Sequence, residues 1–145
     1  MNTARVNKTQ KISVVLDSNI IVSSIVFGGK PRDIFLLAIE GKIKPFISPF
    51  IIFEVKEVLR NKFDFEEKKL EQTEGILKES FAVIAPKKSL NTIKENVPDN
   101  KILACALESK ADYLVTGDKK HILHLKKIKN TKIVTAEDFL KQFTT

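Results

Sequence analysis

Four acidic residues, Asp17, Glu54, Asp99 and Asp118, fall at comparable points of successive strand–helix units. Carboxylates gathered at one edge of a sheet call for a cation. Asp17 ends the apolar run Ser13-Val14-Val15-Leu16, whose β-branched residues read as a buried strand of a parallel sheet. A carboxylate just past such a strand lies outside the carboxyl end of the sheet, where open α/β folds place their ligands. Asp118 repeats the pattern after Tyr113-Leu114-Val115-Thr116-Gly117. Glu54 has Phe50 and Val58 four residues to either side, so it borders the buried stripe of its helix, while Lys56 and Arg60 take the solvated face. Asp99 follows Pro98 and precedes Ile102-Leu103-Ala104-Cys105-Ala106, which makes it the expected N-cap of a deeply placed helix.

Taken singly, each acid has an ordinary explanation: a turn residue, a stripe margin, a helix cap. Taken together they would repel one another, and Mg²⁺ or Mn²⁺, which prefer oxygen ligands, would offset that repulsion. Such ions suit phosphodiester hydrolysis, because a bound ion activates water and steadies the leaving oxygen. Ser18 and Asn19 beside Asp17, and Thr116 before Asp118, supply further oxygen atoms for the same site. The lysines at 119, 120, 126, 127, 129 and 132 crowd the region after Asp118, and Lys119, Lys120, Lys126 and Lys127 are candidate contacts to a phosphate backbone. Cys105 reads as core, and His121 and His124 as surface or substrate-facing side chains rather than a zinc site.

The chain has 145 residues, 43% hydrophobic and 30% charged, with a formal net charge of +7. That is the size and composition of a globular domain whose partner is an anion, nucleic acid first. A lysine-rich proteome would also produce such a charge. One cysteine excludes a disulfide framework and a cysteine zinc cage. No apolar run approaches the roughly 18 residues of a membrane span, so the cytoplasm is the expected location. Residues 1–11 read as a flexible basic arm, and 12–145 as one domain.

Strands are expected over Ile12–Leu16, Lys44–Ile47, Ala82–Ala85, Tyr113–Thr116 and Ile133–Val134. Helices are expected from Pro31 to Glu40, from the Ser48-Pro49 cap to Asn61, from an Asp64/Glu67 capping box to Phe81, and over Asp99–Ser109, Lys119–Leu125 and Ala136–Phe143. Lys87–Pro98 reads as a polar loop. The alternation predicts an α/β fold with a mainly parallel sheet covered on both faces, a three-layer α/β/α sandwich.

The ordered set of motifs resembles the PIN-domain nucleases. Val15-Leu16-Asp17-Ser18-Asn19 is similar to the family's opening strand, with Ser18 where Thr is usual. Ser48-Pro49 with Phe53-Glu54-Val55 and Val58-Leu59 is similar to its second acidic element, Asp99-Asn100-Lys101-Ile102-Leu103-Ala104-Cys105-Ala106 to its third, and Ala111-Asp112-Tyr113-Leu114-Val115-Thr116-Gly117-Asp118 to its fourth. The resemblance implies that Asp17, Glu54, Asp99 and Asp118 bind Mg²⁺ or Mn²⁺ for RNA cleavage, with Asn19 and Thr116 in support. It also implies a toxin of a toxin–antitoxin pair, with a protein antitoxin as partner and a homodimer as assembly. One departure stands out: where many relatives carry extra acids just before the third motif, this chain has Asn96, Val97 and Pro98.

Two other readings compete. A phosphatase that forms a phospho-aspartate on Asp17 needs an acid two residues later, and Asn19 stands there. A catalytically weak RNA-binding or interaction module would keep the fold without the chemistry.

Overall fold

The structure, a computed structural model, describes residues 11–87, 97–118 and 121–144. Of the expected basic arm, only Lys11 falls among them. Most of the expected polar loop (88–96) and the pair Lys119 and Lys120 lie outside the described residues.

In chain order the elements are β1 (Ser13–Leu16), α1 (Ser18–Val26), α2 (Gly29–Ile39), β2 (Lys44–Ile47), α3 (Pro49–Phe63), α4 (Glu67–Ser80), β3 (Ala82–Val83), α5 (Val97–Ser109), β4 (Tyr113–Val115), a 3₁₀ turn (Leu123–Leu125), β5 (Lys127–Ile128), β6 (Thr131–Val134) and α6 (Ala136–Thr144). The strands form one sheet in the order β3-β2-β1-β4-β6-β5. All neighbours are parallel except β5, which runs antiparallel to β6.

Val14, Val15 and Leu16 are consecutive in β1, and all are fully buried. Side chains alternate faces along a strand, so both faces of the sheet are covered, and the fold is the expected α/β sandwich. Helix α5 packs on β1 and β2, while α1 packs against α2 and α3, and α2 against α6. The chain moves outward from β1 to β2 and β3, then returns to β4 on the other side of β1. That reversal opens a crevice between the carboxyl ends of β1 and β4.

Local sequence explains most element ends, but three expectations need correcting and two elements come as additions. The Ser48 hydroxyl accepts the Ile51 N–H at 3.2 Å with Pro49 next in line, the expected cap of α3. Asp64, however, does not cap α4: it adopts a left-handed conformation (φ 56°) at the end of α3. Asp tolerates that region, and it allows the Phe65 N–H to reach back to Leu59 O at 3.1 Å. Asp99 lies in the first turn of α5, which has begun by Val97, rather than capping it. Beyond Asp118 the described chain forms only a 3₁₀ turn, not a helix to Leu125, and β5 is an unforeseen edge strand. Helix α1 was also not foreseen. Its Ile20, Ile21 and Val22 favour strand by propensity, but all three are buried and packing prevails.

Candidate metal centre

The carboxyl ends of β1 and β4 hold the first half of the site. The Asp17 N–H donates to Val115 O at 3.0 Å, and the Thr116 N–H donates to Val134 O at 3.0 Å. The ladder therefore extends just far enough to fix both residues as they leave the sheet. Asp17 is 3% exposed and Thr116 fully buried. The Thr116 hydroxyl donates to Asp17 Oδ2 at 2.6 Å and accepts the Asp118 N–H at 3.0 Å. One hydroxyl thus ties the first acid to the last. On the other side, the Ser18 hydroxyl donates to Glu54 Oε1 and lies 3.3 Å from Asp17 Oδ1. Glu54 reaches the site from α3, half-buried as its place beside the apolar stripe implies.

Asp99 and Asp118 form the second half, with a side chain the sequence reading left outside. His121 Nδ1 lies 3.7 Å from Asp99 Oδ2 and 3.6 Å from Asp118 Oδ1. One ligand atom from each of Asp99, Asp118 and His121 falls within 4.8 Å of the other two. Local chain geometry sets this up. Asp118 Oδ1 accepts the His121 N–H at 3.0 Å, and Asp118 O accepts the N–H groups of Ile122 and Leu123. Ile122 is fully buried and pins the turn to the core, so His121 is carried toward the acids. The only sequence signal was a His three residues after the last acid.

The electrostatics follow from this packing. Burial raises the pKa of Asp17, against the Thr116 hydrogen bond, and the nearby Glu54 charge adds to the rise. Burial, then the charge of Asp118 and a hydrogen bond shared with it, and then the charge of Asp17, push Asp99 up to about 6, while His121 opposes them. All four acids therefore interact at one edge of the sheet. Asn19 is exposed on the first turn of α1. Lys126 and Lys127 are exposed, but the crowding of the basic segment against Asp118 holds only in part. Lys127 pairs with Lys132, and Lys132 is in register with Tyr113. That places the pair roughly 10 Å back along the strands from Thr116. His124 is exposed and Cys105 is buried.

A divalent cation fits this donor set. Carboxylate oxygens dominate it, burial penalises their charged form, and one imidazole nitrogen lies near two of them. The fold and site thus define an α/β domain with a carboxylate-lined candidate cation centre at its topological switch point. The chain belongs to the PIN-domain family, a family of nucleases, whose sequence model matches residues 13–120. Similar solved structures agree on the fold. A chain in the crystal structure of VapBC2 from Rickettsia felis, bound to a DNA fragment from their promoter, is 21% identical. It aligns with a TM-score of 0.58 over 84% of this chain and 97% of that one. The PIN domain endonuclease Utp24 is 22% identical with a TM-score of 0.52 over 83% and 82% of the two chains. The T. brucei RRP44 PIN domain is 17% identical with a TM-score of 0.52 over 94% and 82%. A comparison with curated protein sequences gave no match.

Proposed function

We propose that this chain is a metal-dependent endoribonuclease that hydrolyses RNA phosphodiester bonds, and that it is the toxin of a toxin–antitoxin pair. The observation that carries the catalytic reading is the meeting of Asp17, Glu54, Asp99 and Asp118 at the crevice between β1 and β4. Asp17, Glu54, Asp99 and Asp118 are the residues that would hold Mg²⁺ or Mn²⁺. Such an ion, when bound, acidifies water and stabilises charge on the leaving oxygen.

The protein's own part is positional. Thr116 fixes the Asp17 carboxylate through Oδ2 and, through the Asp118 N–H, the turn that carries the last acid. Ser18 holds Glu54 by Oε1 and lies against Asp17 Oδ1, which keeps these two carboxylates side by side. The net charge of +7 supports a polyanionic substrate. Lys126 and Lys127, together with Lys119 and Lys120, are proposed backbone contacts. The toxin assignment rests on the PIN-domain family and on the fold shared with a VapBC2 chain over nearly all of that chain's length. It brings with it a protein antitoxin, a homodimer and action in the cytoplasm. Among the described residues no helix is long and apolar enough to cross a membrane.

The test is RNA cleavage with Mg²⁺, with Mn²⁺ and with chelator, comparing the wild type with Asp17→Asn and Asp118→Asn in matched preparations. Cleavage should require metal and fall at least about 100-fold in both variants. Equal activity in all three proteins means a contaminating nuclease. RNA binding without cleavage in the metal-loaded wild type would make the chain a binding module.

A further inference from the structure

We propose that His121 is a nitrogen donor of the cation centre, and that it gives this centre a preference for Mn²⁺ over Mg²⁺ that carboxylates alone would not confer. The inference rests on the metal-dependent reading above and adds to it an ion preference and a ligand.

Around an octahedral ion with bonds of about 2.0–2.1 Å, donors stand roughly 3 Å apart when adjacent and about 4 Å apart when opposite. The 3.6 and 3.7 Å separations from His121 Nδ1 to Asp118 and Asp99 lie between those values. All three ligand atoms stay within 4.8 Å of one another, so only a small contraction would close them on one ion. The backbone that carries the imidazole is held in place. The His121 N–H is bonded to the same Asp118 carboxylate, and the next residue, Ile122, is buried in the core. His124, three residues on, is exposed in the 3₁₀ turn.

The choice of ion follows from donor chemistry. Mg²⁺ is hard, keeps its waters and gains little from nitrogen, whereas first-row transition ions gain from imidazole. Mn²⁺ shares with Mg²⁺ the preference for carboxylates. Of the two ions it is therefore the one that gains from His121 as well as from Asp99 and Asp118, even though it gains less from nitrogen than the later transition ions do.

The experiment compares the full chain with His121→Gln and with a His124→Gln control, all shown by melting in chelator to be folded. Electron spin echo spectra of bound Mn²⁺ report directly on coordinated nitrogen. Calorimetry with each ion alone gives the affinities. Wild type and His124→Gln should show nitrogen coupling, and His121→Gln should lose it. Mn²⁺ affinity should fall about 10-fold in His121→Gln, while Mg²⁺ affinity changes by less than about twofold. Bound Mn²⁺ without nitrogen coupling in the wild type, or an equal loss for both ions in the variant, would overturn the role of His121 and leave the carboxylate centre standing. A wild type that binds neither ion would overturn both.

Discussion

Helix α3 presents charged side chains to two different neighbourhoods. On one side Lys56 meets Glu74 of α4 at 2.5 Å, and Lys78 reaches the other oxygen of the same carboxylate at 2.7 Å. Hydrogen bonds from the two lysines hold Glu74 down to about 2. On the other side Glu54 joins Asp17 through Ser18, and beyond them burial and the neighbouring acids push Asp99 up to about 6. The two carboxylates belong to ordinary helices of the same domain. Glu74 is surrounded by ammonium groups on the surface, while Asp99 is buried among acids by the sheet edge. Charge balanced by the chain's own lysines marks a structural contact. Acids massed at the switch point of a parallel sheet, with the His121 imidazole beside Asp99 and Asp118, are the donor set of the proposed cation centre.

The strongest way to break that contrast is to give the site what the α3–α4 contact already has. In His121→Lys, an ammonium group would face Asp99 and Asp118. Metal-dependent cleavage should fall at least about 100-fold, while the metal-free protein should melt no lower than the wild type, because an added cation is attracted by these acids. Cleavage assays and melting in chelator check the two halves of this expectation separately.

Acid titration sharpens the same contrast. Asp99 rises from 3.8 to about 6 on folding, so its protonated form is favoured in the native state. The stability tied to it is complete below about 3.8 and is lost as the pH rises through about 6. Glu74 falls from 4.5 to about 2, so its contribution is present above 4.5 and is lost as the pH falls toward 2. Denaturant unfolding in chelator should therefore show an Asp99 component that strengthens between neutral pH and about 5. Asp99→Asn should remove it, and Glu74→Gln should alter only the more acidic limb. The smallest effect belongs to the lysine side. Lys56→Met should cost less than about 1 kcal/mol, since its partner is partly exposed and screened, and should leave metal-dependent cleavage unchanged.

Much of this arrangement was legible in the sequence, for identifiable reasons. Asp17, Thr116 and Asp118 terminate apolar runs, and the end of a buried parallel strand is visible as an abrupt change of residue type. Glu54 was legible from its angular place on α3. Helix α1 was not, because Ile20, Ile21 and Val22 carry a strand signal that only packing against α2 and α3 overrides. Asp64 was misread because a carboxylate before a helix looks like a cap, whereas here its tolerance of a left-handed backbone closes the preceding helix. His121 stayed hidden because Asp99, its second partner, arrives from α5 and no local spacing reveals the meeting. Strand β5, at Lys127–Ile128, is too short to leave a period of its own.

If the Asp17–Glu54–Asp99–Asp118 edge is the proposed cation centre, a divalent ion must stabilise the fold through it. Thermal melting of the wild type and of Asp118→Asn, each with chelator and with saturating Mn²⁺, tests it most directly. Mn²⁺ should raise the melting temperature of the wild type and leave Asp118→Asn nearly unmoved, while the variant in chelator melts at or above the wild type. A wild type indifferent to Mn²⁺, or a variant that responds to it equally, would mean that these acids are not a cation centre.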